Sequence, residues 1–203
     1  MSPVMFEEPD GATPLDPDER EGLKFPHVTT RQQLDELEQA NIESGLAWLA
    51  RQRRNTDVLT DDFALRLHRQ LFGEVWTWAG TLRRTEKNIG SDPLRIGVEL
   101  RYLMQDARYW ADNQSYGSTE AAIRLHHRLV SIHPFPNGNG RHARITADAV
   151  LQRVYGAEPI DWAGGHDLQR MNERRTAYIA ALRAADRGDF GPLFAFVGSR
   201  TDL

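Results

Sequence analysis

Apolar residues recur at helical spacing along most of the chain. Leu34, Leu37, Ile42, Leu46, Trp48 and Leu49 mark a helix from about 30 to 53, and Thr30 with Gln33 three residues on supplies a capping box at its start. Phe63, Leu67 and Leu71 fall at i, i+4 and i+8 behind Thr60, a capping residue, and Gly73 ends that second helix. Asp92-Pro93 opens a third, with Ile96, Leu100, Leu103, Ala107 and Trp110 on its apolar face. A fourth runs from about 118 to 131 on Ala122, Leu125, Leu129, Ile123, His126 and Val130. A fifth starts near Gly140 and carries Ile145, Ala149 and Val150 to Tyr155, with Gly156 as its stop. A sixth covers about 167–186, and a short seventh holds Leu193, Phe194, Phe196 and Val197. The pattern predicts an all-α domain around one core.

Two stretches break the pattern. Residues 75–80, Val-Trp-Thr-Trp-Ala-Gly, lead into a polar run at 81–91 without helical period, which reads as a loop or a short hairpin. Trp76 and Trp78 read as packing at its base. Residues 1–28 hold five of the ten prolines together with Gly11 and Gly22, and read as an irregular arm ahead of a domain at 29–203.

Composition narrows the classes. At 203 residues, 40% hydrophobic and 27% charged, the chain is globular and long enough to bury a core unaided. It has no cysteine, which excludes disulfides, Cys-based metal sites and a thiol nucleophile. No apolar run approaches the roughly 20 residues that span a bilayer, and the first residues lack the basic start and apolar stretch of a signal peptide. The expectation is a soluble cytoplasmic protein with no membrane partner. The net charge of −4 is uneven: residues 1–21 carry seven acids and Arg20, a net of −6, which leaves +2 for the rest. A helical nucleic-acid binder is disfavoured by so small a surplus and by the lack of a recognition helix. The acidic arm is complementary to a basic site and is expected to be able to fold over one.

The chemistry concentrates at 133–144, His-Pro-Phe-Pro-Asn-Gly-Asn-Gly-Arg-His-Ala-Arg. Pro134 and Pro136 bar helix and hold the residues before them extended. Gly138 and Gly140 permit left-handed backbone and close approach of a ligand. The helix that follows presents unpaired N–H groups and a positive dipole end, an anion site. Arg141 and Arg144, three apart, project from one side of its first turn. Together these make a polyphosphate cradle. His133, at the end of the preceding helix, is placed to act as a general base on a hydroxyl. Asn137 offers one neutral oxygen, a weak ligand for Mg²⁺. Phe135, between prolines, reads as a buried plug anchoring the loop. Elsewhere, His68 and His126 fall on apolar stripes and read as core, and Glu36, Glu38 and Glu43 read as a solvated helix face.

The joint pattern resembles the Fic family motif, H-P-F-x-[DE]-G-N-[GK]-R-x-x-R, at His133, Pro134, Phe135, Gly138, Asn139, Gly140, Arg141 and Arg144. Residues 67–84 are similar to the family's segment in which a helix ends in a Trp-Ala-Gly turn and an Arg. Residues 184–197 are similar to its closing helices. Within the family the chain is most similar to the group called mobile mystery protein B. The resemblance covers about 30–198 and implies a bundle of about six to eight helices with a short β-hairpin flap at Thr85, Glu86, Lys87, Asn88, Ile89 and Gly90.

It also implies transfer of AMP from ATP to a Ser, Thr or Tyr hydroxyl of a target protein. His133 would deprotonate the hydroxyl. Gly138, Asn139 and Gly140 would hold the α and β phosphates, and Arg141 and Arg144 the phosphates of the leaving group. The flap would seat the target by strand addition, with Asn88 against the base or the target. Mg²⁺, or Mn²⁺, would accompany ATP. A toxin-like role is implied as a possibility. The inhibitory pattern [ST]-x-x-x-E-[GN] does not occur, so an inhibitory partner or antitoxin in trans is one expectation and no inhibition the other. One position departs from the motif: Asn137 stands where the family has an acid that holds the metal. The alternative expectation is therefore a nucleotide- or protein-binding Fic fold with weak or altered chemistry.

Overall fold

Caps and apolar stripes set the helices where the spacing puts them. In the computed structural model, which describes residues 16–163, 168 and 173–198, the elements are α1 (Pro17–Arg20), α2 (Arg31–Ala50), α3 (Asp61–Phe72), α4 (Ile96–Asp112), α5 (Ser118–Ile132), α6 (Asn139–Val150), α7 (Glu173–Ala185) and α8 (Gly191–Phe196). Thr30 caps α2: its hydroxyl accepts the Gln33 N–H at 3.3 Å while the Gln33 carboxamide accepts the Thr30 N–H at 3.2 Å. Thr60 caps α3 in the same way, accepting the Phe63 N–H at 3.0 Å. α4 begins at Ile96, later than Asp92-Pro93 suggested, because the Asp92 carboxylate takes the Leu94 N–H at 2.9 Å in a turn of its own. α6 runs on through a π-helical turn at Leu151–Tyr155, and Gly156 ends it at φ +65°.

α5 and α6 form the middle of the bundle. On one side α2, α3 and α4 pack a core around Phe63, Leu67, Leu71, Phe72, Leu100 and Leu125. On the other, α7, α8 and Trp162 pack on Ala122, Ile123, Ala147 and Leu151. The α5–α6 turn packs on the first of these cores, with Phe135 against His68 and Gly138 against Phe72. No strand occurs among the described residues, and one isolated antiparallel bridge joins Leu23 to Trp76. The 81–91 segment is thus a loop, and the hairpin implied for 85–90 is not formed. The physical reason is Arg83, whose guanidinium takes the carbonyls of Thr85 and Ser91, groups that cross-strand pairing would otherwise use. Residues 16–28 lie against this region, with the Lys24 N–H on the Val75 carbonyl and the Thr77 N–H on that of Gly22, both at 2.9 Å.

Three histidines of the cores are fully buried. Burial pushes His68 and His126 well below the ordinary value of 6.5 and His142 down to about 4. Below 6.5 the unfolded chain binds protons that the folded chain refuses. Stability present at neutral pH is therefore lost as the pH falls from about 6.5 toward 4. His142 alone accounts for about 3 kcal/mol by the lower end of that window. Thermal melts between pH 7 and 4.5 should show the midpoint falling steadily. A midpoint unchanged to pH 5 would contradict the assignment of these histidines as neutral.

Candidate active site

The turn between α5 and α6 is built on backbone geometry that its residues dictate. His133 closes α5 at φ +53°, left-handed for a non-glycine residue, with its N–H on the Leu129 carbonyl at 3.1 Å. Pro134, Phe135 and Pro136 then carry the chain across. The Asn139 side chain closes the turn on itself, accepting the Phe135 N–H at 2.9 Å and donating to the Phe135 carbonyl at 2.8 Å. Phe135 is fully buried and stacks on His68, with ring centroids 3.7 Å apart. Nδ1 of His68 accepts the Gly80 N–H, so Nε2 carries the proton and donates to the Asn137 carbonyl, each at 3.0 Å. Gly138 sits at φ +78° with the Phe72 ring 2.7 Å from where a Cβ would be. Only glycine fits there. Past it, Asn139, Gly140 and Arg141 form the first turn of α6, whose N–H groups have no intrahelical partner.

His133 is buried at the mouth of this turn. Desolvation first, and the Arg83 cation second, lower its imidazole to about 4, against the opposing effect of the Val130 carbonyl. It is neutral at physiological pH and able to accept a proton.

The two arginines have different surroundings. Arg141 is committed: Nη1 donates to Glu38 Oε2 at 2.6 Å, Nη2 approaches Asn137 Oδ1 at 3.4 Å, and the guanidinium lies over the Phe72 ring. The other oxygen of Glu38 accepts from Trp76 Nε1 at 2.7 Å. The solvated-face reading is therefore corrected for Glu38, which is 2% exposed. Its place in sequence was the overlooked signal: it stands four after Leu34 and four before Ile42, on the buried stripe. Arg144 is half-buried; among the described residues it meets the Tyr178 hydroxyl and ring face, at 3.4 and 5.5 Å, and its charge also acts on Asp148 one turn on. Behind it His126 Nε2 meets the same hydroxyl at 2.8 Å. Among the described residues no carboxylate forms an ion pair with Arg144.

Asn137 faces inward, its Oδ1 accepting the Gly138 N–H at 2.6 Å. Glu38, the nearest acid that these contacts reveal, has both oxygens bonded. Among the described residues no cluster of three metal-ligating side chains occurs. The flap residues Thr85, Glu86, Asn88, Ile89 and Gly90 are exposed, whereas the Lys87 ammonium is buried between Asp16 Oδ2, at 2.9 Å, and Glu19 Oε2, at 2.5 Å. The Thr85 hydroxyl also donates to Asp16, at 2.7 Å. These two bonds hold the Asp16 carboxyl below its ordinary value. The acidic arm thus meets the flap through Asp16 and Glu19. Arg83, 2% exposed, is a residue that sequence reasoning passed over: Arg84 beside it is exposed and of the same type.

Arg141→Ala leaves the buried Glu38 carboxylate without its cation, at a cost of about 3–5 kcal/mol. Chemical denaturation should show that loss, with Arg144→Ala within about 1 kcal/mol of wild type. Equal losses would contradict the division of the two cations.

The model of the Fic/DOC family matches residues 58–151. The protein adenylyltransferase Fic of Drosophila grimshawi is 30% identical over 142 residues, which are 68% of this chain and 28% of that protein. The chain thus spans under a third of the length of the curated relatives it matches. Among solved structures, Fic-1 from C. elegans superposes with a TM-score of 0.62 at 23% identity, covering 87% of this chain and 51% of that one. BepC, a VirB-translocated effector from Bartonella tribocorum with bound AMPPNP, reaches 0.67 at 17% identity, over 94% and 93% of the two chains. The fold is shared with both, the sequence match falls on the helices that carry the turn, and the chain belongs to the Fic/DOC family.

Proposed function

We propose that this chain transfers AMP from ATP to a hydroxyl side chain of a target protein. The observation that carries the reading is a neutral, buried histidine that ends α5, one short turn before the open N-terminus of α6, with one cation on that helix, Arg144, that no carboxylate among the described residues pairs with. The name of the Drosophila relatives, protein adenylyltransferase, and the AMPPNP held by the Bartonella protein agree with it.

His133 accepts the proton of the target hydroxyl. The hydroxyl oxygen attacks the α-phosphorus, the new O–P bond forms, and the bond from that phosphorus to the bridging oxygen breaks. Pyrophosphate leaves with the electron pair. The N–H groups of Asn139 and Gly140 and the α6 dipole hold the phosphates; Gly138, whose own N–H is taken by Asn137, serves by allowing close approach, and Arg144 neutralises the charge that develops on the leaving group. Arg141 differs from the expectation of a phosphate ligand: its role is to fix the turn through Glu38. The flap at 85–90, exposed apart from Lys87, is the surface that seats the target.

The residues present do not fit a protein-held Mg²⁺. Asn137 brings a neutral oxygen already bonded to the Gly138 amide. Any ion would arrive with the phosphates of ATP, and no step above runs through one. Both expectations for regulation, inhibition in trans by a small partner and no inhibition, stand beside an Arg144 that none of the described residues pairs with a carboxylate. Among the described residues no helix is long and apolar enough to cross a membrane.

With a lysate as the source of targets, wild type should add protein label from α-labelled ATP beyond that of the lysate alone, and should add none from γ-labelled ATP beyond what the lysate's own kinases add. His133→Ala should lower labelling at least about 100-fold. Arg144→Ala should lower kcat/KM for ATP on the order of 100-fold. Labelling that survives His133→Ala would refute the mechanism.

A further inference from the structure

Arg83 is a buried cation whose guanidinium bonds exclusively to backbone in the contacts observed. Nε donates to the His133 carbonyl at 2.6 Å and Nη1 to that of Thr85 at 2.8 Å. Nη2 donates to the Ser91 carbonyl at 2.5 Å and reaches that of Ile132 at 3.5 Å. Its own N–H donates to the Pro134 carbonyl at 2.9 Å, and the Ser91 N–H to that of Ile132 at 3.1 Å. One side chain thus holds both ends of the flap and the last carbonyls of α5. Carbonyls at a helix C-terminus are a negative dipole end, suited to a buried cation. A five-donor planar fork is what lets one residue reach all four acceptors.

We propose that Arg83 is the positioning residue of the catalytic base: by tying the Ile132 and His133 carbonyls to Thr85 and Ser91, it holds His133 in its left-handed conformation and sets the flap against it. This rests on the reading of His133 as the base. Two further observations agree. A left-handed non-glycine residue is strained and persists only when its surroundings over-determine it, and the Arg83 fork is the contact that does so from outside the turn. Gly90, at φ +114°, brings its backbone so close that a Cβ there would stand 2.8 Å from the Cβ of His133. The flap and the base are therefore one packed unit with Arg83 between them.

The charged groups that bear on the His133 ring are Arg83 and Lys87, both from the flap segment. Glu19, Glu86 and Asp92 surround Arg83, Asp16 and Glu19 hold Lys87, and α6 turns Arg141 to Glu38 and Arg144 to Tyr178. Arg83 is the larger of the two charge effects on His133. Its removal lets the imidazole take up a proton at higher pH.

The test is an NMR titration of the histidine side chains in the full chain, for wild type, Arg83→Met and Arg83→Lys, with kcat and KM for ATP measured alongside. His142, also near 4 but fixed by the Ala64 carbonyl at 2.9 Å, is the internal control. Arg83→Met should move the His133 titration upward, toward the pH range in which the fold persists, while His142 stays neutral there. Its kcat should fall at least tenfold at unchanged KM for ATP. Arg83→Lys keeps the charge and loses the fork, so it should leave the His133 titration near wild type and still lower kcat. This variant decides the matter if Arg83→Met does not fold. A His133 titration and kcat unchanged in the variants that fold would overturn the proposal, as would His133 and His142 shifting together. If the wild type labels no protein, the reading of function fails by itself, and the selective His133 shift still judges the positioning.

Discussion

One carboxamide closes the turn on which the site depends. Asn139 holds both the N–H and the carbonyl of Phe135, so three residues of irregular backbone are pinned by a residue that also begins α6. With Phe135 fixed, its ring enters the core against His68. His68 then returns to the Asn137 carbonyl and to Gly80, joining the turn to the end of the Trp-Ala-Gly stretch. The consequence is an α6 N-terminus that starts directly after a glycine, with no side chain over its first N–H groups. An anion site made this way is set before any ligand arrives, so little reorganisation is needed when charge develops there.

The cations around the turn divide into structural and open. Arg83 is buried and Arg141 mostly so, and both are committed, one to carbonyls and one to Glu38. Each lets backbone or carboxylate be buried without an unsatisfied group, and each would cost more to remove than it adds in net attraction. Among the described residues Arg144 is held by a long contact to a tyrosine hydroxyl and an aromatic face, with no ion pair. A weakly held guanidinium with Tyr178 behind it can turn to phosphate without breaking an ion pair. Of the two arginines that the sequence pattern treats alike, one has no carboxylate partner among the described residues.

Much of the fold was legible in the sequence. α3 and α5 announce themselves by their apolar periods, and α2 and α3 by capping residues at Thr30 and Thr60. Burial was legible where the stripe is apolar and failed where it is not: α2 buries Glu38, Asn41 and Gly45 beside Leu34 and Ile42, so its inner face looks polar. The turn at 133–144 was legible because its prolines, glycines and arginines constrain one another. Arg83 was not, because Arg83 and Arg84 differ only in which one the backbone turns inward. The loop at 81–91 was ambiguous for the same reason, since the side chain that organises it acts on carbonyls that carry no sequence identity. Asp16 and Glu19 belong to an acidic stretch whose charge was plain, but their partners, Lys87 and Thr85, lie some seventy residues away.

The account turns on a preassembled cradle served by Arg144 and not by Arg141. A crystal structure of the chain with a non-hydrolysable ATP analogue addresses that directly. The account predicts the polyphosphate against the N–H groups of Asn139, Gly140 and Arg141, Arg144 turned from Tyr178 onto it, and the α-phosphorus facing His133, with the Glu38–Arg141 pair intact. A nucleotide bound away from the α6 N-terminus, or Arg141 released from Glu38 to hold the phosphates, would contradict it.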